Sequence, residues 1–554
     1  MAGLPLRLFN TLGRELQQFV PLDAGRAHIY TCGPTVYAYQ HIGNLRAYVF
    51  ADTLRRVLEW KGYEVTHVVN ITDVGHLTSD MDEGEDKLEL ASREQGRSVW
   101  DLAAHYTGAF LDDVTKLRVL PPAVWAKATD HIHEMVEFAP VLQAKGYAYK
   151  IPAGLYFDTA KVRDYGKLAL LDLAGLQEGA RVAPTPGKRN ASDFALWRAS
   201  PADATRLMEW ESPWGPGAPG WHLECSAMSR KYLGARFDIH TGGVDHIPVH
   251  HTNEIAQSEA YLGGPWVPFW LHNEFINLRH VKMSKSRGGT LLLSDLEQQG
   301  FHPLSYRLFL LASHYRNQTE FTWRGLEGAR VAQRRLLERL AERSAKGADP
   351  LTYEQAADRL DGPGRAYLER LDEAISNDLN TPQALALLTQ ASRSPELGAE
   401  GLSTLAGAFE AVLAIGLLDL MPQDVEPPVR ELRLAPAEVD QLLGERDDAR
   451  RQGDFTTADE SEGCWSDSAL RCAIRPREQA GSCAQPSRPA RLARATPSSA
   501  RPGRAGTWTQ RSAWAGRGRG VVDTGSRQSP ARWTPTNAGP VPDRPDRPGD
   551  PPRP

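Results

Sequence analysis

At 554 residues, with 41% apolar and 24% charged side chains, the chain exceeds one hydrophobic core and is too apolar to be disordered throughout, which predicts roughly three or four domains. No apolar run approaches the ~20 residues needed to cross a bilayer and no basic-then-apolar leader opens the chain, so a cytoplasmic protein with no membrane partner is expected. The five cysteines, at 32, 225, 464, 472 and 483, suggest no disulfide framework, and the net charge of −5 combines +9 over 461–554 with −14 over 1–460, so only a local basic groove would hold nucleic acid.

Taken in chain order, HIYTCGPTVY reads as a strand running into a glycine-proline turn. HIGNLRAYVFADTLRRVLEWKG follows with apolar residues at helical spacing, then the β-branched, alternating YEVTHVVNITDV. Strand, helix and strand in this order predict a parallel βαβ unit, with nucleotide bound at the strand ends. From about 90 to 220 the pattern turns helical and then loop-rich, through LYFDTAKVRDYGKL and ESPWGPGAPG, as an insertion into that fold. The fold resumes at GWHLECSAM, strand-like FDIHTGG and helical HHTNEIAQSEAYLG; PFWLHNEFINL then leads into the lysine-rich loop VKMSKSRGG.

From 324 to about 422 the sequence is a series of amphipathic segments, such as RGLEGARVAQRRLLERLAERSA and QALALLTQASRS, that predict a helical bundle. MPQDVEPPVRELRLAP reads as a proline-rich linker, and the segment through ARRQGDFTTADE begins a small domain that breaks off near Glu460. Residues 461–554 hold 14 of the 39 prolines and four tryptophans without periodicity, the composition of a disordered tail. Indiscriminate Arg, Pro, Gly and Trp point to a frameshifted reading of an arginine-rich gene rather than an authentic basic extension.

Two constellations carry chemistry. HIGN at 41–44 opens a helix after a glycine turn, where the helix N-terminus and His41 would meet nucleotide phosphates; alone, it reads more readily as a histidine capping a helix. KMSKS at 282–286 places two lysines on a glycine-ended loop, suited to neutralising a pyrophosphate leaving group, and with HIGN upstream the pair points to ATP. The second set is Cys32, Cys225, His250 and Glu254. His250 and Glu254 stand four apart on one helical face, and two thiolates, an imidazole and a carboxylate make a zinc shell. Taken singly, each residue has a bland alternative, buried cysteines as small hydrophobes and adjacent histidines as surface decoration.

In order, YTCGPTVY, HIGN, NITDV, GWHLECSAM, DIHTGG, HHTNEIAQS, KMSKSRG, FLLASHYR and DLNTPQAL resemble the cysteinyl-tRNA synthetase family of class I aminoacyl-tRNA synthetases, over roughly residues 4–460. The resemblance implies an α/β fold: a Rossmann-type parallel-sheet catalytic domain at 1–115 and 221–275, split by a connective insertion at 116–220. It further implies a KMSKS and stem-contact region at 276–325, a helical bundle at 326–422 and a truncated anticodon-binding domain at 423–460, ahead of the tail at 461–554. It assigns one zinc ion per subunit to Cys32, Cys225, His250 and Glu254. ATP, with Mg²⁺, falls to His41, Gly43, Asn44, Gly242, Gly243, Lys282, Met283, Ser284, Lys285 and Ser286, with His41, Asn44, Lys282 and Lys285 in catalytic roles. L-cysteine falls to Thr72, Trp221, His240 and Asp245, and the partners are ATP, L-cysteine and tRNA-Cys, with the protein acting as a monomer.

Two other readings stay open on sequence alone. One is a tRNA-independent ligase joining activated cysteine to an amino-sugar acceptor, as in mycothiol synthesis. The other is a non-catalytic zinc- or RNA-binding remnant of a broken gene.

Overall fold

The structure, a computed structural model, describes residues 3–74, 86–170, 185–200, 206–278, 290–343, 349–426 and 451. Its centre is a five-stranded parallel sheet of β1 (Arg26–Thr31), β2 (Glu64–Ile71), β3 (Val124–Lys127), β4 (Ile239–Gly243) and β5 (Phe269–Asn273), in spatial order β5-β4-β1-β2-β3. The carboxyl halves of β1 and β2 are buried throughout, as expected where helices cover both faces of a parallel sheet. Helix α1 (Ile42–Trp60) links β1 to β2, α2 (Val99–Lys116) leads towards β3, α3 (Trp221–Leu233) leads into β4, and α4 (His250–Leu262) returns to β5. The strand order reverses between β1 and β4. That reversal opens a crevice at the carboxyl ends of the two strands, the place where α/β folds bind ligands.

The sheet extends further along the chain than the sequence pattern places it. Val124–Lys127 pairs in parallel with β2, Val68 opposite Val124 through Ile71 opposite Lys127, so the parallel sheet passes residue 116, where the insertion is expected to begin. The strand is four residues long and too short to carry a period. The stretch read as loop-rich holds a four-stranded antiparallel meander, Ala148–Ile151, Gly154–Phe157, Phe194–Ala199 and Gly217–Pro219. Gly154–Phe157 is buried at every position, which removes the polar alternation that marks a half-exposed strand.

Beyond the sheet, helices Pro303–Leu311, Trp323–Glu342, Gly362–Ser376, Thr381–Arg393 and Ala399–Leu413 pack together. Their buried leucines form one continuous apolar cluster with Leu45, Val49, Leu54 and Leu58 of α1. Buried polar bonds reinforce the junction: Arg307 pairs with Asp52 of α1 and donates to the carbonyls of Leu117 and Leu413 at 2.8 Å each. No helix among the described residues is long and apolar enough to cross a membrane. The start of the 423–460 segment is described only to 426, and the tail at 461–554 lies outside the described residues.

Candidate active site

The crevice is stitched by main-chain bonds between the loops that leave the strands. Cys32 N donates to the Thr241 carbonyl at 3.1 Å, Thr72 N to Pro34 at 3.0 Å and Val36 N to Thr72 at 3.1 Å. Gly33 permits this closeness, because a Cβ there would lie 1.5 Å from the carbonyl oxygen of Asn70. Gly242 does the same on the β4 side, where a Cβ would sit 2.6 Å from the rings of His246 and His251.

Four side chains from separate elements converge at this point. Cys32 follows β1, Cys225 lies in α3, and His250 and Glu254 lie one turn apart on α4; their ligand atoms all fall within 4.8 Å of one another and all four are buried. Cys32, His240, His251 and Glu254 form a second such group, sharing two members with the first. His250 Nε2 stands 2.9 Å from Glu254 Oε1 and His240 Nε2 3.0 Å from Glu254 Oε2, yet Glu254 Oε1 has no hydrogen bond of acceptable geometry. A buried carboxylate oxygen left this way beside two thiols and an imidazole fits a cation, the donor set being soft enough for zinc.

The electrostatics agree with that donor set. Burial opposes ionisation of Cys225, but hydrogen bonding with Cys32 and the charge of His250 bring it down to about 6, while burial and Cys225 push Cys32 well above the ordinary thiol range. Burial works against His250 too, and Glu254 with Cys225 outweighs it, holding the ring up at about 10; His240 and His250 overcome burial to hold Glu254 at about 2. A thiolate and a carboxylate thus face each other across an imidazolium, the charge that a divalent cation would supply.

Around this group the protein builds supports that the sequence reading passed over. His251, the second histidine of HHTNE, places Nε2 3.2 Å from Cys32 Sγ and its other nitrogen 2.7 Å from His272, which in turn meets Thr11 Oγ1 at 2.8 Å. His222 stands 3.0 Å from His250 and accepts from Asn253 at 3.1 Å. Neither adjacent histidine decorates the surface: His250 is 2% and His251 0% exposed. The doubled histidine in HHTNE was a usable signal; the lone histidines of GWHLECSAM and PFWLHNE carried none.

Of the residues expected at the amino acid, Thr72 and His240 are buried in the crevice and Trp221 stacks on the His250 ring at 4.0 Å. Asp245 is exposed, in the turn after β4 beside Gly242 and Gly243. His41 caps α1: its Nδ1 accepts from Asn44 N at 3.2 Å, and Asn44 Oδ1 accepts from His41 N at 3.2 Å. Gly43 lies inside this cap, where a Cβ would be 2.9 Å from the His41 ring. Ile42 N donates to Leu291 O at 2.9 Å and His41 bridges Leu292, which brings the segment after the lysine-rich loop to the head of α1. Lys282, Met283, Ser284, Lys285 and Ser286 themselves lie outside the described residues.

Comparison with known proteins gives this arrangement its relatives. A family model described as "tRNA synthetases class I (C) catalytic domain" matches residues 18–331. The cysteine--tRNA ligase 1 of Burkholderia lata is 48% identical over 477 residues, covering 86% of this chain and 96% of the relative. The cysteine--tRNA ligases of Novosphingobium aromaticivorans (47% identical, 82% of this chain and 92% of the relative) and Zymomonas mobilis (44%, 82% and 93%) are similar over nearly the same span.

Proposed function

This chain belongs to the class I cysteinyl-tRNA synthetase family, and on that premise we propose that its crevice activates L-cysteine with ATP and that the aminoacyl group then passes to tRNA-Cys. The observation that carries the reading is the convergence of Cys32, Cys225, His250 and Glu254 at the β1/β4 switch point. In this proposal those four residues hold zinc, which when bound offers the substrate thiolate a soft ligand site that a serine hydroxyl fills poorly. A purely apolar pocket would separate two such similar side chains only ~10 to 200-fold.

The other roles follow from placement. The head of α1, closed by the His41–Asn44 cap, turns the positive end of its dipole towards the phosphates of ATP, with Gly43 leaving room for close approach. Gly242 and Gly243, the last two residues of β4, form the strand end against which the nucleotide lies. Lys282 and Lys285 neutralise the departing pyrophosphate as the cysteine carboxylate attacks the α-phosphorus, and Mg²⁺ accompanies ATP. Thr72, Trp221, His240 and Asp245 surround the amino acid. No side-chain nucleophile takes part, so positioning and charge do the work. The proposal places the enzyme in the cytoplasm as a monomer.

Match over 92–96% of relatives named cysteine--tRNA ligase favours tRNA as acceptor over an amino sugar. Charging of tRNA-Cys transcript with labelled cysteine tests this: ATP-dependent accumulation of cysteinyl-tRNA is the expected result. Cysteine transfer to an amino sugar with none to tRNA would replace this reading by the other ligase.

A further inference from the structure

A chain of buried polar groups runs along one wall of the crevice and ends in an atom with no partner. Gly33 N donates to Asn70 Oδ1 at 2.8 Å, Asn70 Nδ2 donates to Thr72 Oγ1 at 3.2 Å, and Thr72 Oγ1 donates to Glu224 Oε2 at 3.1 Å. Glu224 is 1% exposed, and its second oxygen, Oε1, has no hydrogen-bond partner. An unsatisfied buried carboxylate oxygen is costly, and native structures leave one only where something else completes it.

The direction of the bonds fixes what Thr72 can do. A hydroxyl has one proton and two lone pairs. The Thr72 proton is committed to Glu224 and one lone pair to Asn70, so towards a ligand Thr72 can only accept. Of the polar groups of an amino acid, the thiol and the carboxylate want donors or a metal; the α-ammonium alone wants acceptors and negative charge. Glu224 precedes Cys225 on α3, the helix that brings the zinc-binding thiol to the crevice.

We propose that Glu224 is a positioning residue for the α-ammonium of the substrate: by taking the Thr72 proton it turns Thr72 into an acceptor, and its unpartnered Oε1 offers a second acceptor beside it. The inference rests on the reading of the crevice as a cysteine-activation site. It makes Thr72 and Glu224 one unit that recognises the amino group and leaves the thiol to the neighbouring metal site.

The test uses the full chain, zinc-loaded, in cysteine-dependent exchange of pyrophosphate into ATP, with two competitors: cysteamine, which keeps thiol and ammonium, and 3-mercaptopropionate, which keeps thiol and carboxylate. Glu224→Gln raises the KM for cysteine and the inhibition constant of cysteamine by about tenfold or more, the range of a lost charge-assisted hydrogen bond. The inhibition constant of 3-mercaptopropionate, the KM for ATP and the zinc content stay at the wild-type values. Thr72→Val reproduces the pattern and Thr72→Ser reverses it, which carries the test if Glu224→Gln does not fold. Equal weakening of both competitors, or no weakening of either, overturns the proposal; absence of exchange in the wild-type protein instead overturns the cysteine-activation reading on which it rests.

Discussion

Lys61, the residue that closes helix α1, places its ammonium 2.5 Å from a carboxylate oxygen of Asp372 in the helical bundle, and both side chains are 2% exposed. The same ammonium donates to the Leu4 carbonyl at 2.7 Å, and Asp372 also accepts from Leu4 N and, at 2.9 Å, from Ser376. The N-terminal segment at Leu4, the helix that begins at HIGN and the bundle therefore meet at one buried ion pair.

Removing one partner leaves the other charge buried and unpaired, which costs about 3–5 kcal/mol. Asp372→Asn is expected to lower the urea midpoint accordingly, while Lys61→Met with Asp372→Leu loses much less, since no charge remains to be desolvated. Unfolding curves of the three variants decide this, and equal losses for single and double variants would contradict it.

His67 in β2 makes a testable pH statement away from the metal site. Its ring is buried, with Nε2 2.8 Å from Thr31 Oγ1, and burial, assisted by the charge of Arg55, holds it down at about 3. The unfolded chain takes up that proton near pH 6.5, so the neutral ring contributes stability that is complete above pH 6.5 and is lost as pH falls towards 3. His67→Gln is therefore expected to flatten the loss of stability between pH 6.5 and 4, by up to about 1.4 kcal/mol per pH unit. Urea unfolding across that range is the measurement; parallel curves for the two proteins would refute it.

Gly33 is expected to tolerate no side chain. A methyl group 1.5 Å from the Asn70 carbonyl forces the loop after β1 away from β2 and carries Cys32 with it. Gly33→Ala should fold, keep its helical circular dichroism and lose about 100-fold in cysteine activation, the scale of a displacement near 1 Å at a reacting centre.

Arg46, two residues beyond the HIGN motif, is 3% exposed and donates to the carbonyls of Phe275, His314, Tyr315 and Asn317 at 2.7–3.3 Å. It ties the strand at Ile276–Asn277 to the head of α1. Arg46→Met leaves those carbonyls short of a donor, at about 1–3 kcal/mol for each buried group left unsatisfied. The expected result is a lower melting temperature and a fall in kcat for exchange; an unchanged kcat in a destabilised protein would confine Arg46 to stability.

How much of this was legible beforehand follows from the physics of each element. The HHTNE pair could be placed because residues one helical turn apart share a face, and His250 and Glu254 do meet, at 2.9 Å. The parallel sheet was legible in β1, β2 and β4, where β-branched or apolar runs precede glycine turns. The edge strand β3 and the meander were not: β3 has four residues, too few to carry a period, and Gly154–Phe157 is buried at every position and shows no alternation. The supports behind Cys32 were invisible for another reason: His272 and Thr11 reach it only through tertiary folding, and Glu224 reads in sequence as one more helical glutamate.

Metal removal tests the zinc assignment. Dialysis against a strong chelator is expected to abolish cysteine activation, with recovery on adding Zn²⁺ and not Mg²⁺. Cys225→Ser is expected to lower zinc affinity by about 100-fold or more. Zinc content by atomic absorption, read beside activity, would contradict the assignment if the variant kept full metal.

The most direct test of the central claim is exchange of labelled pyrophosphate into ATP by the zinc-loaded protein, with cysteine and with serine in separate reactions. The account predicts exchange with cysteine and at most a trace with serine. Equal exchange with the two amino acids, or none with cysteine, would contradict it.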